Sequence, residues 1–160
     1  MSKKKDNARL AEIRNPKASR DYFLGTRFEA GVALTGTEVK AVRLGRANIA
    51  DAFVRIDNGS VPILYHAHIS EYDFGNTNNH QPYRPRKLLL HAREIRKIVE
   101  EIRSGGKTVV PTRLYFRHGL VKAEIAIAQG KKLHDKRNDI KKRDDERYVR
   151  RALRSRDRRV

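Results

Sequence analysis

The chain has 160 residues, 38% of them hydrophobic, which is enough for one compact domain if the charged ends stay outside its core. Its 37 Lys and Arg against 19 Asp and Glu give a formal charge of +18, a surplus that seeks a polyanion: nucleic acid or an anionic membrane surface. The lack of cysteine excludes disulfides, thiolate catalysis and Cys-based zinc sites, and there is no run of about 18 apolar residues from which to build a membrane span.

Residues 1–15 are polar, basic and aperiodic, which predicts a disordered arm ahead of a packed domain over 16–129. The early lysines precede no apolar run, so no leader is expected and the chain is expected to be cytoplasmic. From Tyr22 to Leu34 apolar and polar residues alternate loosely, interrupted by Gly25 and Gly31, as in a curved strand. Thr35-Gly36-Thr37-Glu38 has the spacing of a capping box, predicting a short helix over Glu38–Leu44 that Gly45 stops.

Phe53, Val54 and Ile56 lead into Asp57-Asn58-Gly59-Ser60, and Asn-Gly is a strong hairpin signal because a type I′ turn needs two residues at positive φ. A strand over Val61–Ile69 is expected to return, with Pro62 at its start because proline cannot donate to a ladder. Glu71 to Lys87 is aperiodic and rich in Asn, Pro and Arg, a loop of the length that is usually functional or mobile. Leu90, Ile95, Ile98, Val99 and Ile102 recur at helical spacing up to Gly105-Gly106. Thr108–Arg117 and Leu120–Ala128 form a second hairpin about His118-Gly119, with Val121, Ala123, Ile125 and Ile127 on one face. The pattern predicts a mainly β protein: a small closed antiparallel β-barrel of the oligonucleotide-binding (OB) type with flanking short helices and a basic C-terminal tail.

Gly105-Gly106-Lys107-Thr108 looks like the end of a phosphate-binding loop, but Glu101 stands where that motif needs glycine, so a helix-ending turn is expected. His66 and His68 would share a strand face, yet no third ligand lies nearby, and half-exposed histidines are the simpler reading. Without a nucleophile elbow, a His-Glu-x-x-His helix or a secluded carboxylate pair, no enzyme activity, metal or cofactor is expected. Three basic groups remain as phosphate contacts: Lys40, Arg43 and Arg46 on the first helix, Arg84-Pro85-Arg86-Lys87 at the loop end, and the tail. Tyr83 and Tyr22 offer stacking surfaces for unpaired bases, whereas Phe23 and Phe28 read as core. Residues 130–160 hold 14 Lys and Arg against 6 Asp and Glu, with Leu133 and Ile140 on one side of a potential helix. Such a segment is expected to be disordered when free and helical against RNA, and it lacks the apolar face of a membrane-surface helix.

Phe28-Glu29-Ala30-Gly31, Leu34-Thr35-Gly36-Thr37-Glu38-Val39-Lys40, Asn48 with Phe53-Val54, His80 with Pro82, Arg86-Lys87-Leu88-Leu89-Leu90 and Gly130-Lys131-Lys132 followed by Asp135-Lys136-Arg137 run in order from about Asp21 to Arg143. In these segments the chain resembles the bacterial small protein B family, also called SsrA-binding proteins. The resemblance implies an OB-type barrel that cradles the tRNA-like part of transfer-messenger RNA, a monomer that partners this RNA and the ribosome. The tail is then expected to occupy the decoding centre and the empty message channel of a stalled ribosome. It further implies RNA contacts at or near Glu29, Leu89 and His91, and ribosome contacts at Lys131, Lys132, His134, Asp135, Lys136 and Arg137. His91 stands where many members carry Asn, Gln129 where Lys is frequent, and His118-Gly119 where Asn-Gly is frequent. A ribosomal or assembly protein that binds ribosomal RNA is the alternative, and a Mg²⁺-dependent nucleic-acid enzyme a more distant one.

Overall fold

The structure, a computed structural model, describes residues 10–157. Most of the expected arm, residues 1–9, therefore lies outside the described residues, as do 158–160.

The elements in chain order are β1 (Ile13–Arg14), α1 (Ala18–Asp21), β2 (Tyr22–Val32), α2 (Gly36–Arg43), β3 (Ala47–Asn48), β4 (Phe53–Asp57), β5 (Val61–Tyr65), β6 (His68–Ile69), β7 (Arg86–Leu89), α3 (Ala92–Arg103), β8 (Lys107–Arg117), β9 (Leu120–Gly130) and α4 (Leu133–Asp157), with a 3₁₀ turn at Asn76–Asn78. The order β8-β4-β5-β7-β2-β9 closes on itself through the β8–β9 hairpin into a ring of six strands. Every pairing is antiparallel. Among the described residues each strand of the ring has a neighbour on both sides, and β1 adds to β8 beside it. Phe28, Ile49, Leu64, Ile69, Leu88, Leu114 and Ile125 fill the interior, and α3 closes it with Ile98.

Both hairpins turn as their residues require: Asn58 and Gly59 sit at φ 50° and 72°, His118 and Gly119 at 51° and 75°. Thr35 N–H donates to Glu38 Oε2 at 2.8 Å, and the expected capping box between Thr35 and Glu38 starts α2. In β9 the inward set Val121, Ala123, Ile125 and Ile127 is buried as expected, while the outer Ala128 is also covered, packed with Ala18 of α1 and Val110.

Two expectations are corrected. The packed domain begins before residue 16, because Ile13 pairs with Leu114 and the buried Asn15 amide donates to Ile49 O at 3.1 Å and Pro111 O at 2.8 Å. The strand expected to reach Ile69 stops at Tyr65, because His66 takes φ 58° and turns the chain before β6. His66 and His68 are therefore not neighbours on one strand face.

Candidate nucleic-acid interface

Three neighbouring strands carry the outward charges. Glu29 of β2 stands opposite Glu124 of β9, a like-charge pair that is unfavourable unless each carboxylate finds its own cations. Glu124 takes Arg27 at 2.8 Å and Arg113 at 3.0 Å. Glu29 takes Arg117 Nη1 at 2.9 and 3.1 Å and accepts a short hydrogen bond from Tyr115 Oη. The Tyr115 hydroxyl and then the Arg117 guanidinium hold the Glu29 carboxyl below its usual range, so it is ionised at neutral pH. Burial and the bond to Glu29 push Tyr115 up to about 12, so it stays a donor.

Glu29 lies on the rim of a cleft of about 530 Å³ that also holds Gly31, Lys87, Leu89, His91, Glu94 and Lys122. Leu89 faces Gly31 across the β2–β7 ladder, and a Cβ on Gly31 would lie 3.2 Å from Leu89 Cβ. The glycine thus seats an apolar side chain that is 56% exposed beside the cleft. His91 caps α3, its N–H donating to Glu94 Oε2 at 2.9 Å, and the first turn of the helix opens beside the cleft. The arrangement offers ammonium and imidazole groups to phosphate or base edges around an apolar floor.

Glu29, Lys87, Leu89 and His91 are thus brought together from β2 and the β7–α3 junction. Lys40, Arg43 and Arg46 are exposed in a separate group: Lys40 Nζ sits 5.2 Å from the Tyr72 ring, Arg43 5.8 Å from that of Phe116, and Arg46 pairs with Asp73 at 2.6 Å.

Arg86 does not belong to a surface site. Its side chain is 0% exposed and donates to Glu38 Oε1 at 2.8 Å, Ala67 O at 2.6 Å and Pro82 O at 2.9 Å, leaving nothing to offer a phosphate. It locks the long loop onto α2, as Arg84 does through Glu38 at 2.6 and 2.8 Å and His80 does by bridging Thr37 and Ile69 O at 2.9 Å each. The alternation of β7 carries the signal for this: if Leu88 faces in, so does Arg86, and Lys87 and Leu89 face out.

Lys131 is likewise committed to the fold. Its side chain is 7% exposed, with Nζ donating to Ser19 O at 2.9 Å and to Asp139 while lying 5.0 Å from the Phe23 ring. Phe23, expected in the core, is 51% exposed and forms the seat for this ammonium; Phe28 is core. Asp135 accepts the Lys132 N–H at 3.2 Å and caps α4. Lys136 reaches Asp21 at 3.5 Å, and His134 lies 3.1 Å from Asp135. Lys132, His134 and Arg137 face solvent. Sequence reasoning missed Tyr115, Arg117 and Lys122; the period-2 spacing of Arg113, Tyr115 and Arg117 between inward residues of β8 was the available signal.

The family described as SmpB protein matches residues 12–155. The chain belongs to the SmpB family. The SsrA-binding protein of Geotalea uraniireducens (strain Rf4) is 56% identical over 144 residues, covering 90% of this chain and 95% of that protein. That of Geobacter metallireducens (strain ATCC 53774 / DSM 7210 / GS-15) is 53% identical over 142 residues, with 89% and 92% covered. A chain in the solved structure "tmRNA-SmpB: a journey to the center of the bacterial ribosome" superposes with a TM-score of 0.64 at 37% identity, covering 76% of this chain and 85% of that one. The closed mainly β barrel is thus the fold of an SmpB structure, and no described helix is long and apolar enough to cross a membrane.

Proposed function

We propose that this SmpB-family chain is an RNA-binding adaptor that binds the tRNA-like domain of transfer-messenger RNA and delivers it to stalled ribosomes for trans-translation, acting in the cytoplasm without catalysis. The observation that carries the reading is the cleft where Glu29, Lys87, Leu89 and His91 converge, in a chain whose relatives are SsrA-binding proteins and whose structural neighbour is a tmRNA–SmpB complex of the ribosome. Lys87 and Lys122 neutralise phosphates at this cleft, and Arg117, held beside it by Glu29, adds its charge; each contact adds counterion release to the affinity. Glu29 acts mainly by holding Arg117, because both of its oxygens are already engaged.

The tail serves the other partner. Anchored at its root by Lys131, α4 projects solvent-facing Lys132, His134, Arg137 and the basic residues beyond them toward the ribosomal decoding centre and message channel, where His134 stacks on an RNA base. Removing residues 130–160 tests the division. The truncated protein should bind the tRNA-like RNA within a few-fold of the full chain and lose tagging of stalled peptides; a large loss of RNA affinity contradicts the division.

A further inference from the structure

The far end of β5 carries a second concave site. The Glu29 cleft is bordered by Val61 and Pro62 at the start of β5, and a separate open cup of about 430 Å³ lies past its end, walled by Asn48, Asp51, His66, His68 and Tyr83. Three strand residues, Ile63 to Tyr65, lie between Pro62 and His66, which are roughly 13 Å apart at the usual rise.

Each wall is held by the fold. Asn48 and His68 are register partners in the β3–β6 ladder, which points them to the same side. Ile69 N–H donates to Pro82 O at 3.0 Å and brings Tyr83 beside His68, ring centroids 4.8 Å apart. His66, turned out of β5 by its φ of 58°, packs its ring 5.3 Å from that of Phe53. Asn48 Oδ1 accepts the Ala50 N–H at 2.8 Å, which fixes the side chain and leaves its NH₂ group as a donor. Lys17 pairs with Asp51 Oδ1 at 2.6 Å, holding a carboxylate at the rim with an ammonium beside it. A Tyr that is 62% exposed, two imidazole rings, one fixed donor, one fixed acceptor and one cation form a stacking surface with a polar edge.

We propose that this cup is a second RNA site that takes a single unpaired nucleobase, stacked on the exposed Tyr83 ring and edged by the His68 ring, tilted 59° to it, and by His66. The proposal rests on the RNA-binding reading of the chain and adds to it a site distinct from the Glu29 cleft. The polar edge favours guanine, whose amino and ring N–H groups donate to the Asp51 carboxylate while O6 accepts from the Asn48 amide; adenine matches this donor and acceptor set less well. Cup and cleft together give the barrel contacts to RNA at both ends of one strand.

The test is a titration of the full chain with guanosine, adenosine, cytidine and uridine 5′-monophosphates, and with ribose 5-phosphate, following the His66, His68 and Tyr83 ring resonances by NMR. Guanosine monophosphate should shift all three saturably and more tightly than the others, ribose phosphate should leave them in place, Tyr83→Ala should weaken binding about tenfold through lost stacking, and Asp51→Asn should erase the preference over adenosine monophosphate. His68→Ala, on the short β6 strand, provides a second variant should either of these perturb folding. Unshifted rings with every nucleotide, or equal shifts with ribose phosphate, overturn the proposal. Affinity of the same variants for the tRNA-like RNA keeps the two readings apart: an empty cup with full affinity removes the cup alone, whereas no affinity in the unaltered chain removes the RNA reading itself.

Discussion

At Glu38 four donated hydrogen bonds, from Thr35 N–H, Arg84 Nε and Nη2 and Arg86 Nε, converge on a carboxylate with no exposed surface. Burial pushes this carboxyl up, but the Arg84, Thr35 and Arg86 contacts outweigh it and hold it below its ordinary value of 4.5. As pH falls below that value the unfolded chain takes the proton first, so the group's contribution to stability is complete above 4.5 and is lost as pH drops through the folded-state value. Glu38→Gln leaves two guanidinium groups short of a counter-charge and should cost about 3 kcal/mol in urea unfolding; a change below about 0.5 kcal/mol contradicts the locking role, since surface substitutions fall in that range. At Glu29 the expectation concerns binding: Glu29→Ala and Arg117→Ala should each weaken affinity for the tRNA-like RNA, and the double variant should be little worse than either single one, because one residue acts through the other. Additive losses would show that Glu29 meets the RNA itself. Glu29 and Leu89 were legible only through the resemblance, because an exposed carboxylate and an exposed leucine contradict what composition suggests for an RNA surface. Arg86 and Lys131 misled for the opposite reason: charge alone does not tell a solvated cation from one enclosed by a carboxylate and backbone carbonyls, and only the β7 alternation carried that information.

Among the elements, the strands and hairpins followed from local chemistry, since period-2 alternation and residues tolerant of positive φ act over a few positions. The break at His66 did not, because Val61–Ile69 has uninterrupted strand composition and the turn is imposed by the pairing of β6 with β3. The long loop is ordered partly within itself, where Asn79 clamps the Tyr72 backbone at 2.7 and 3.0 Å, and partly by contacts far away in sequence, where Arg84 and Arg86 reach Glu38. A Cβ on Gly75 would come within 2.8 Å of the Asn79 amide, so Gly75→Ala should release this clamp and speed amide exchange at Gly75 and Asn78, whose N–H groups are bonded inside the loop. Protection equal to the native chain would place the order of the loop elsewhere. The helix α4 is about 37 Å long at the standard rise, and its contacts to the barrel, Lys131 with Asp139 and Lys136 with Asp21, lie in its first turns. Amide protection along α4 should therefore fall from its root to its end in the free protein, since a charged helix without packing is marginal in water. Uniform protection would contradict anchoring at the root alone.

For the whole molecule, +18 guarantees attraction to any RNA, so affinity by itself says little. Specificity has to come from the cleft, where the placement of Leu89, Glu29 and the surrounding cations matches a shape, and from the way the barrel holds the tail at a fixed origin. The most direct measurement is the affinity of the full chain for transfer-messenger RNA beside an ordinary tRNA and an unrelated hairpin of equal length, across a salt series. Bulk charge weakens all three along similar steep slopes. Binding through the cleft predicts a preference of about tenfold or more for transfer-messenger RNA that persists at raised salt; three affinities that stay equal and collapse together would contradict it.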